Sequence, residues 1–126
     1  MNCGRVLIVD DEKNIRFSLS KALEKLEVPV ETAASGEEAL VKLSEADYDL
    51  MLLDLRMPGM DGMEVLRQVS QQLPELKVII ITAYGSLDLA VEAMRLGAVD
   101  FLQKPLDVTQ VREMVCRVLE KQGEAQ

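Results

Sequence analysis

Asp10 and Asp11 follow the apolar run Val6–Val9, and Asp54 follows Leu50–Leu53. Thr82 follows Val78–Ile81, and Lys104 stands just past Ala98–Leu102. An acid pair, a single acid, a hydroxyl and an ammonium make a definite chemical set if the chain gathers them. Three close carboxylates repel one another unless a cation sits among them. Oxygen donors of this kind suit Mg²⁺, with Mn²⁺ as the substitute. Mg²⁺ held by few carboxylates keeps several waters, so it has room for a phosphate oxygen. A carboxylate fixed at the end of a strand can attack phosphorus, as in aspartyl-phosphate chemistry. A hydroxyl and an ammonium can each hold a phosphoryl oxygen and offset its charge. Taken singly, each residue has a plainer reading. Asp10 or Asp61 alone reads as a turn former or helix cap, Thr82 as an ordinary turn residue and Lys104 as a solvated charge. The joint placement at the ends of different strands sets them apart.

The elements that must position these groups alternate strand and helix. Val6–Val9, Leu50–Leu53 and Val78–Ile81 are short continuous apolar runs, the pattern of strands buried on both faces of a parallel sheet. Val28–Ala33 and Ala98–Leu102 are more polar and read as edge strands, with Pro29 able only to open the first. Between them, Ile15, Leu19, Ala22, Leu23 and Leu26 recur at helical spacing. Ser35 and Glu38 form a capping box for a second helix through Ala39, Leu40 and Leu43. A third helix opens at Asp61 or Gly62, carries Leu66, Val69 and Leu73, and stops before Pro74. A fourth ends at Gly97, and Asp107 caps a fifth that holds Val108, Val111, Val115 and Val118 inside. The fourth helix carries two apolar stripes. Leu87, Ala90, Val91 and Met94 are read as its buried stripe, and Leu89, Ala93 and Leu96 as a second one left near solvent.

Five such units with right-handed crossovers predict an α/β fold: a five-stranded parallel sheet, order 2-1-3-4-5, with helices on both faces. In sheets of this kind ligands bind beyond the carboxyl ends of the strands, at the switch point between strands 1 and 3. Asp10, Asp11 and Asp54 fall at that point.

Composition narrows the functions. The chain has 126 residues, suited to one domain, and 48% are hydrophobic, so a core needs no disulfide or structural metal. A net charge of −8 disfavours nucleic-acid binding by this chain. The absence of histidine excludes a Ser–His–Asp triad and His-ligated zinc. Cys3 and Cys116 match no metal spacing and read as thiols of a reducing cytosol. No apolar stretch approaches the ~20 residues of a membrane span, and the first residues do not read as a signal peptide, so a cytoplasmic location is expected.

The segments Leu7-Ile8-Val9-Asp10-Asp11-Glu12, Leu52-Leu53-Asp54-Leu55-Arg56-Met57-Pro58-Gly59-Met60-Asp61-Gly62, Ile81-Thr82-Ala83-Tyr84 and Phe101-Leu102-Gln103-Lys104-Pro105 resemble the signature segments of response-regulator receiver domains of bacterial two-component systems. The likeness covers roughly residues 5 to 120 and is greatest to receivers of the NtrC class. It implies that Asp54 accepts a phosphoryl group and that Mg²⁺ is held by Asp11, Asp54 and the backbone carbonyl of Arg56, with Asp10 partly through water. It implies that Thr82 and Lys104 contact the phosphoryl group. Phe101 falls at the switch-aromatic position, without the hydroxyl of the tyrosine frequent there, and the Lys104–Pro105 peptide is expected to be cis. The Arg56 side chain reads equally as a solvated charge or as an influence on phosphate lifetime. Tyr84 reads either as a gate to water or as rim packing. Pro58, Gly59 and Gly62 shape the loop over the metal.

The resemblance further implies a sensor histidine kinase as phosphoryl donor, since this chain has no histidine of its own. It implies ATPase and DNA-binding output domains in the full-length regulator. The second apolar stripe of the fourth helix, for its part, predicts an output surface of helix 4, strand 5 and helix 5 through which the phosphorylated chain forms a homodimer. Residues 1–122 form the receiver domain in this reading, and 123–126 a tail or the start of a linker. A regulatory phosphoacceptor competes with a Mg²⁺-dependent phosphohydrolase that uses an aspartyl nucleophile. Such an enzyme usually has a second acid two residues on, where this chain has Arg56. A flavodoxin-like flavin binder is disfavoured by the acidic rim.

Overall fold

The computed structural model describes residues 4–57, 59–83 and 87–124, the last four by backbone alone. The strands are β1 (Val6–Val9), β2 (Val30–Ala33), β3 (Leu50–Asp54), β4 (Lys77–Thr82) and β5 (Asp100–Gln103). The helices are α1 (Lys13–Glu24), α2 (Gly36–Glu45), α3 (Gly62–Gln72), α4 (Leu87–Arg95) and α5 (Val108–Glu124). All neighbouring strands pair in parallel, in the order β2-β1-β3-β4-β5 expected from the sequence. Val9 pairs with Leu53, and Asp54 with Ile81, so the carboxyl ends of the central strands lie level.

Side chains alternate across the sheet, and each face has its own core. Leu7, Val9, Met51, Leu53, Val78 and Ile80 point to the side covered by Ala39 and Leu43 of α2, Leu66 and Val69 of α3, and Ala93 of α4. Val6, Ile8, Leu50, Leu52, Ile79 and Ile81 point to the other side, against Leu19 and Leu23 of α1 and Val111, Met114 and Val115 of α5. This double covering is why the central strands read as unbroken apolar runs. Each aliphatic side chain so buried contributes about 1.5–3 kcal/mol, which fixes the strand ends from which the polar residues emerge.

The helix starts form as their caps dictate. Ser35 accepts from the Glu38 amide, and Asp61 from the Glu64 amide. Glu38 reaches back to the Ala34 amide at 2.8 Å, one residue before the cap. Asp107 accepts from Thr109 and Gln110. Pro29 stands just before β2, where its carbonyl accepts from Val6. Lys104–Pro105 is cis, as expected.

The expected assignment of the α4 stripes holds for Ala90 and fails for the other residues. Ala90 and Ala93 are the fully buried residues, and Leu89 and Leu96 pack half-buried against the core. Leu87, Val91 and Met94 face outward, at 52%, 52% and 39% exposure. Both stripes are apolar, so periodicity alone could not choose between them. Two alanines let the helix backbone approach the sheet closely, and the leucines beside them reach the core from the flanks. Val108, expected inside, is 45% exposed at the first turn of α5, where Asp107 rather than an apolar contact secures the helix. Cys116 is half-buried on α5, its thiol 3.2 Å from Glu120 Oε2, while Cys3 lies outside the described residues. Among the described residues, no helix is long and apolar enough to cross a membrane.

Candidate metal and phosphoryl site

Asp10, Asp54 and Thr82 are the buried polar residues of the described chain, at 0%, 3% and 1% exposure. They stand side by side at the carboxyl ends of β1, β3 and β4. Asp11, next to Asp10, is exposed. One carboxylate oxygen each from Asp10, Asp11 and Asp54 lies within 4.8 Å of the others. Lys104, immediately after β5, completes the group and is held there by its amide, which donates to the Thr82 carbonyl at 2.8 Å.

The two buried carboxylates are oriented by the same device. Asp10 Oδ1 accepts from the amide of Glu12 at 2.8 Å, and Asp54 Oδ1 from the amide of Arg56 at 3.0 Å. In each case the donor lies two residues on, the local turn that aspartate favours. Oδ2 of both is left toward the Lys104 ammonium, 3.2 Å from Asp10 and 3.5 Å from Asp54. The ammonium also lies 3.6 Å from Glu12 at the solvent edge. One cation therefore faces three carboxylates, of which two are buried.

Electrostatics follow from this crowding. Burial, reinforced by the Asp10 and Asp11 charges, pushes the Asp54 carboxyl up to about 6, against the opposing pull of the Arg56 amide and Lys104. Burial alone would lower the Lys104 pKa, but the charges of Asp54, Asp10 and Glu12 outweigh it and the net shift is upward. Thr82 Oγ1 is buried without a hydrogen-bond partner among the described residues, whereas the buried Asp10 Oδ2 is met by the Lys104 ammonium at 3.2 Å. A buried hydroxyl with no partner costs about 1–3 kcal/mol. Its cost is explained if a ligand oxygen belongs beside it. The all-oxygen donors and the excess of carboxylate over ammonium likewise fit a divalent hard cation.

The loop between β3 and α3 borders the site. The Gly62 amide donates to the Leu55 carbonyl at 3.1 Å and closes the loop at its base. A Cβ on Gly62 would lie 2.6 Å from the Leu55 Cα, so only glycine lets α3 start against the end of β3. The Arg56 side chain is exposed, and Phe101 is half-buried against the core. Pro58 and Tyr84 lie outside the described residues.

The structure thus brings together Asp10, Asp11, Asp54, Thr82 and Lys104. Three supporting contacts around the site escaped the sequence reading. Glu12 pairs with Lys104, Arg16 Nη1 donates to the Asp10 carbonyl at 2.8 Å, and Glu37 accepts from the Met60 amide at 3.2 Å. Arg16 carries no signal, because its partner is a backbone carbonyl. Glu37 carries none, because its partner is distant in sequence.

Residues 6–116 match the response regulator receiver domain family. The DNA-binding transcriptional regulator NtrC of Salmonella typhimurium is 41% identical over 126 residues, which are 100% of this chain and 27% of that protein. Sporulation initiation phosphotransferase F of Bacillus subtilis is 39% identical over 115 residues, 91% of this chain and 93% of that protein. Among solved structures, NtrX from Brucella abortus superposes with a TM-score of 0.92 at 31% identity, over 99% of this chain and 28% of that one. A CheY-like receiver domain protein from Methanospirillum hungatei JF-1 gives 0.90 at 33% identity, over 97% and 98%.

The family match, together with the acid cluster at the switch point of the sheet, marks a receiver module of two-component signalling. The chain belongs to the response regulator receiver family, and within it is similar to the receivers of NtrC-type transcriptional regulators. It spans 27% of the length of those NtrC relatives.

Proposed function

We propose that this chain accepts a phosphoryl group on Asp54 from a phosphohistidine of a partner kinase. An Asp54 carboxylate oxygen attacks phosphorus in line, the bond from phosphorus to the donor imidazole nitrogen breaks, and its electron pair returns to the ring. Asp11, Asp54 and the Arg56 carbonyl would hold Mg²⁺, with Asp10 contributing partly through water, and the ion would offset the charge of donor phosphate and carboxylates. Thr82 Oγ donates to one phosphoryl oxygen and the Lys104 ammonium pairs with another. The observation that carries this reading is the position of Asp54. It is buried at a rigid strand end, its Oδ2 3.5 Å from an ammonium and its carboxylate within 4.8 Å of two further acids.

The role is regulatory rather than enzymatic toward other substrates. Residues 1–122 act as the phosphoacceptor domain, with 123–126 leading toward an output segment, and the whole works in the cytoplasm. Movement of Thr82 toward the phosphoryl oxygen draws on the chain leading to α4, and the Phe101 ring turns inward beside it. The α4–β5–α5 surface then changes its partners, pairing with a second copy and releasing transcription-activating output domains. Phosphorylation shifts an existing equilibrium rather than creating a new fold.

Incubation with Mg²⁺ and acetyl phosphate, followed by intact mass, tests the reading. One slowly lost phosphoryl group per chain supports it. Continuous turnover of a small phosphate ester with no lasting adduct favours the phosphohydrolase instead.

A further inference from the structure

The crown of the loop between β3 and α3 is tied to a part of the chain that takes no direct part in the site. Glu37, in the first turn of α2, directs Oε2 to the Met60 amide at 3.2 Å. It is the one side chain from outside the loop that hydrogen-bonds the crown among the described residues. The neighbouring residue prepares this approach. A Cβ on Gly36 would lie 2.8 Å from Val65 Cγ2 and 3.0 Å from the Met60 carbonyl oxygen, so the helix start and the loop touch as closely as backbone permits. Met60 is thus met on its amide side by Glu37 and on its carbonyl side by Gly36. At its base the loop is held by the Gly62 amide on Leu55, and at its entry by the Arg56 amide on Asp54.

We propose that Glu37 is a positioning residue for the metal site: by latching the Met60 amide to the start of α2, it holds the loop so that the Arg56 carbonyl is presented beside Asp54. The inference rests on the metal site proposed above. Without the latch, the loop keeps its two lower attachments but loses its crown, and the carbonyl samples other orientations. The metal must then order the loop on binding, and affinity falls by the cost of that ordering. Chemistry at a loaded site is unaffected, because Glu37 bonds the loop crown, whereas Asp54 is paired with Lys104 and the Arg56 amide.

The test compares Glu37→Ala and Glu37→Gln with the wild type in the full chain. Two readouts are used: hydrogen exchange of the Met60 amide in EDTA, and Mg²⁺ affinity by titration of amide spectra. Glu37→Ala should speed Met60 exchange and raise the Mg²⁺ concentration for half-saturation, each roughly fivefold. The rate of labelling by acetyl phosphate at saturating Mg²⁺ should not change. Glu37→Gln keeps an acceptor oxygen and removes the charge, so it should stay near wild type in both readouts. Unchanged Met60 exchange in Glu37→Ala overturns the latch. A Glu37→Gln protein that behaves like Glu37→Ala overturns it as well, since long-range charge rather than the hydrogen bond would then set affinity. Wild-type protein that binds no Mg²⁺ overturns the site reading itself, and with it the purpose of the latch, even with Met60 protected.

Discussion

Lys104 places its ammonium 3.5 Å from Asp54 Oδ2, and the same nitrogen lies 3.2 Å from Asp10 Oδ2. The lysine comes from the edge of the sheet and the two acids from its centre, so the parallel order of strands is what joins them. One ammonium cannot balance the carboxylates that surround it. The excess negative charge is a standing cost of the metal-free fold, and most of the testable behaviour stems from it.

The first consequence is a pH-dependent cost located at Asp54. Its carboxyl titrates near 6 in the folded chain, above the ordinary value of 3.8. Between these values the folded state binds more protons than the unfolded state, so stability falls as pH rises through that window. The cost is fully present above about 6 and gone below about 3.8. Asp54→Asn removes it. In EDTA, urea unfolding should therefore find the variant more stable than wild type at pH 7.5, by about 1–3 kcal/mol, with the gap closing toward pH 4. A gap that widens on acidification would contradict the assignment.

Thr82 gives a second handle. Its hydroxyl is buried without a hydrogen-bond partner among the described residues, so Thr82→Val removes an unmet polar group at nearly constant shape. The variant should be as stable as wild type or more so, by up to about 1 kcal/mol. It should still take a phosphoryl group, since Asp54 and the metal ligands remain. The amide-spectrum changes that accompany phosphorylation should shrink around α4. Full-sized changes would remove Thr82 from the path between phosphate and surface.

Lys104→Ala separates the same two steps from the other side. Removing the ammonium that faces Asp54 should slow phosphorylation without abolishing it and weaken the conformational response. Because the acids then lose their counter-charge, Mg²⁺ should stabilise this variant more than it stabilises wild type, as read by thermal unfolding with and without the ion. Equal stabilisation of both would mean that Lys104 does not share the metal's field.

The outward face of α4 makes the surface prediction specific. Val91 is 52% exposed beside Leu87 and Met94, whereas Leu89 packs against the core. Val91→Glu should leave phosphorylation and stability intact and block dimerisation of the phosphorylated form, measured by sedimentation. Leu89→Glu should instead lower stability, by about 1–3 kcal/mol, through burial of a charge beside the core. Identical sedimentation of phosphorylated wild type and Val91→Glu would exclude this face.

The sequence carried the sheet and the site because both depend on local signals. A fully buried strand announces itself as an apolar run, and the polar residue at its carboxyl end must stand at the rim; Asp10, Asp54 and Thr82 were legible for that reason. The α4 stripes were not, since two apolar faces of one helix compete and only three-dimensional packing decides that Ala93 goes inside with Ala90 while Val91 and Met94 face out. Glu37 and Arg16 were hidden for a related reason. Each acts through a backbone group of another segment, Met60 or Asp10, and backbone groups leave no mark in composition or spacing.

If Asp54 is the nucleophile of a metal-assisted phosphoryl transfer, its adduct must depend on both the carboxylate and the ion. Intact mass after incubation with acetyl phosphate and Mg²⁺ reads this directly, with wild type, wild type in EDTA and Asp54→Asn run side by side. The expected result is one added phosphoryl group on wild type with Mg²⁺, and none in EDTA or on Asp54→Asn. Full labelling of Asp54→Asn, or labelling of wild type indifferent to EDTA, would contradict it.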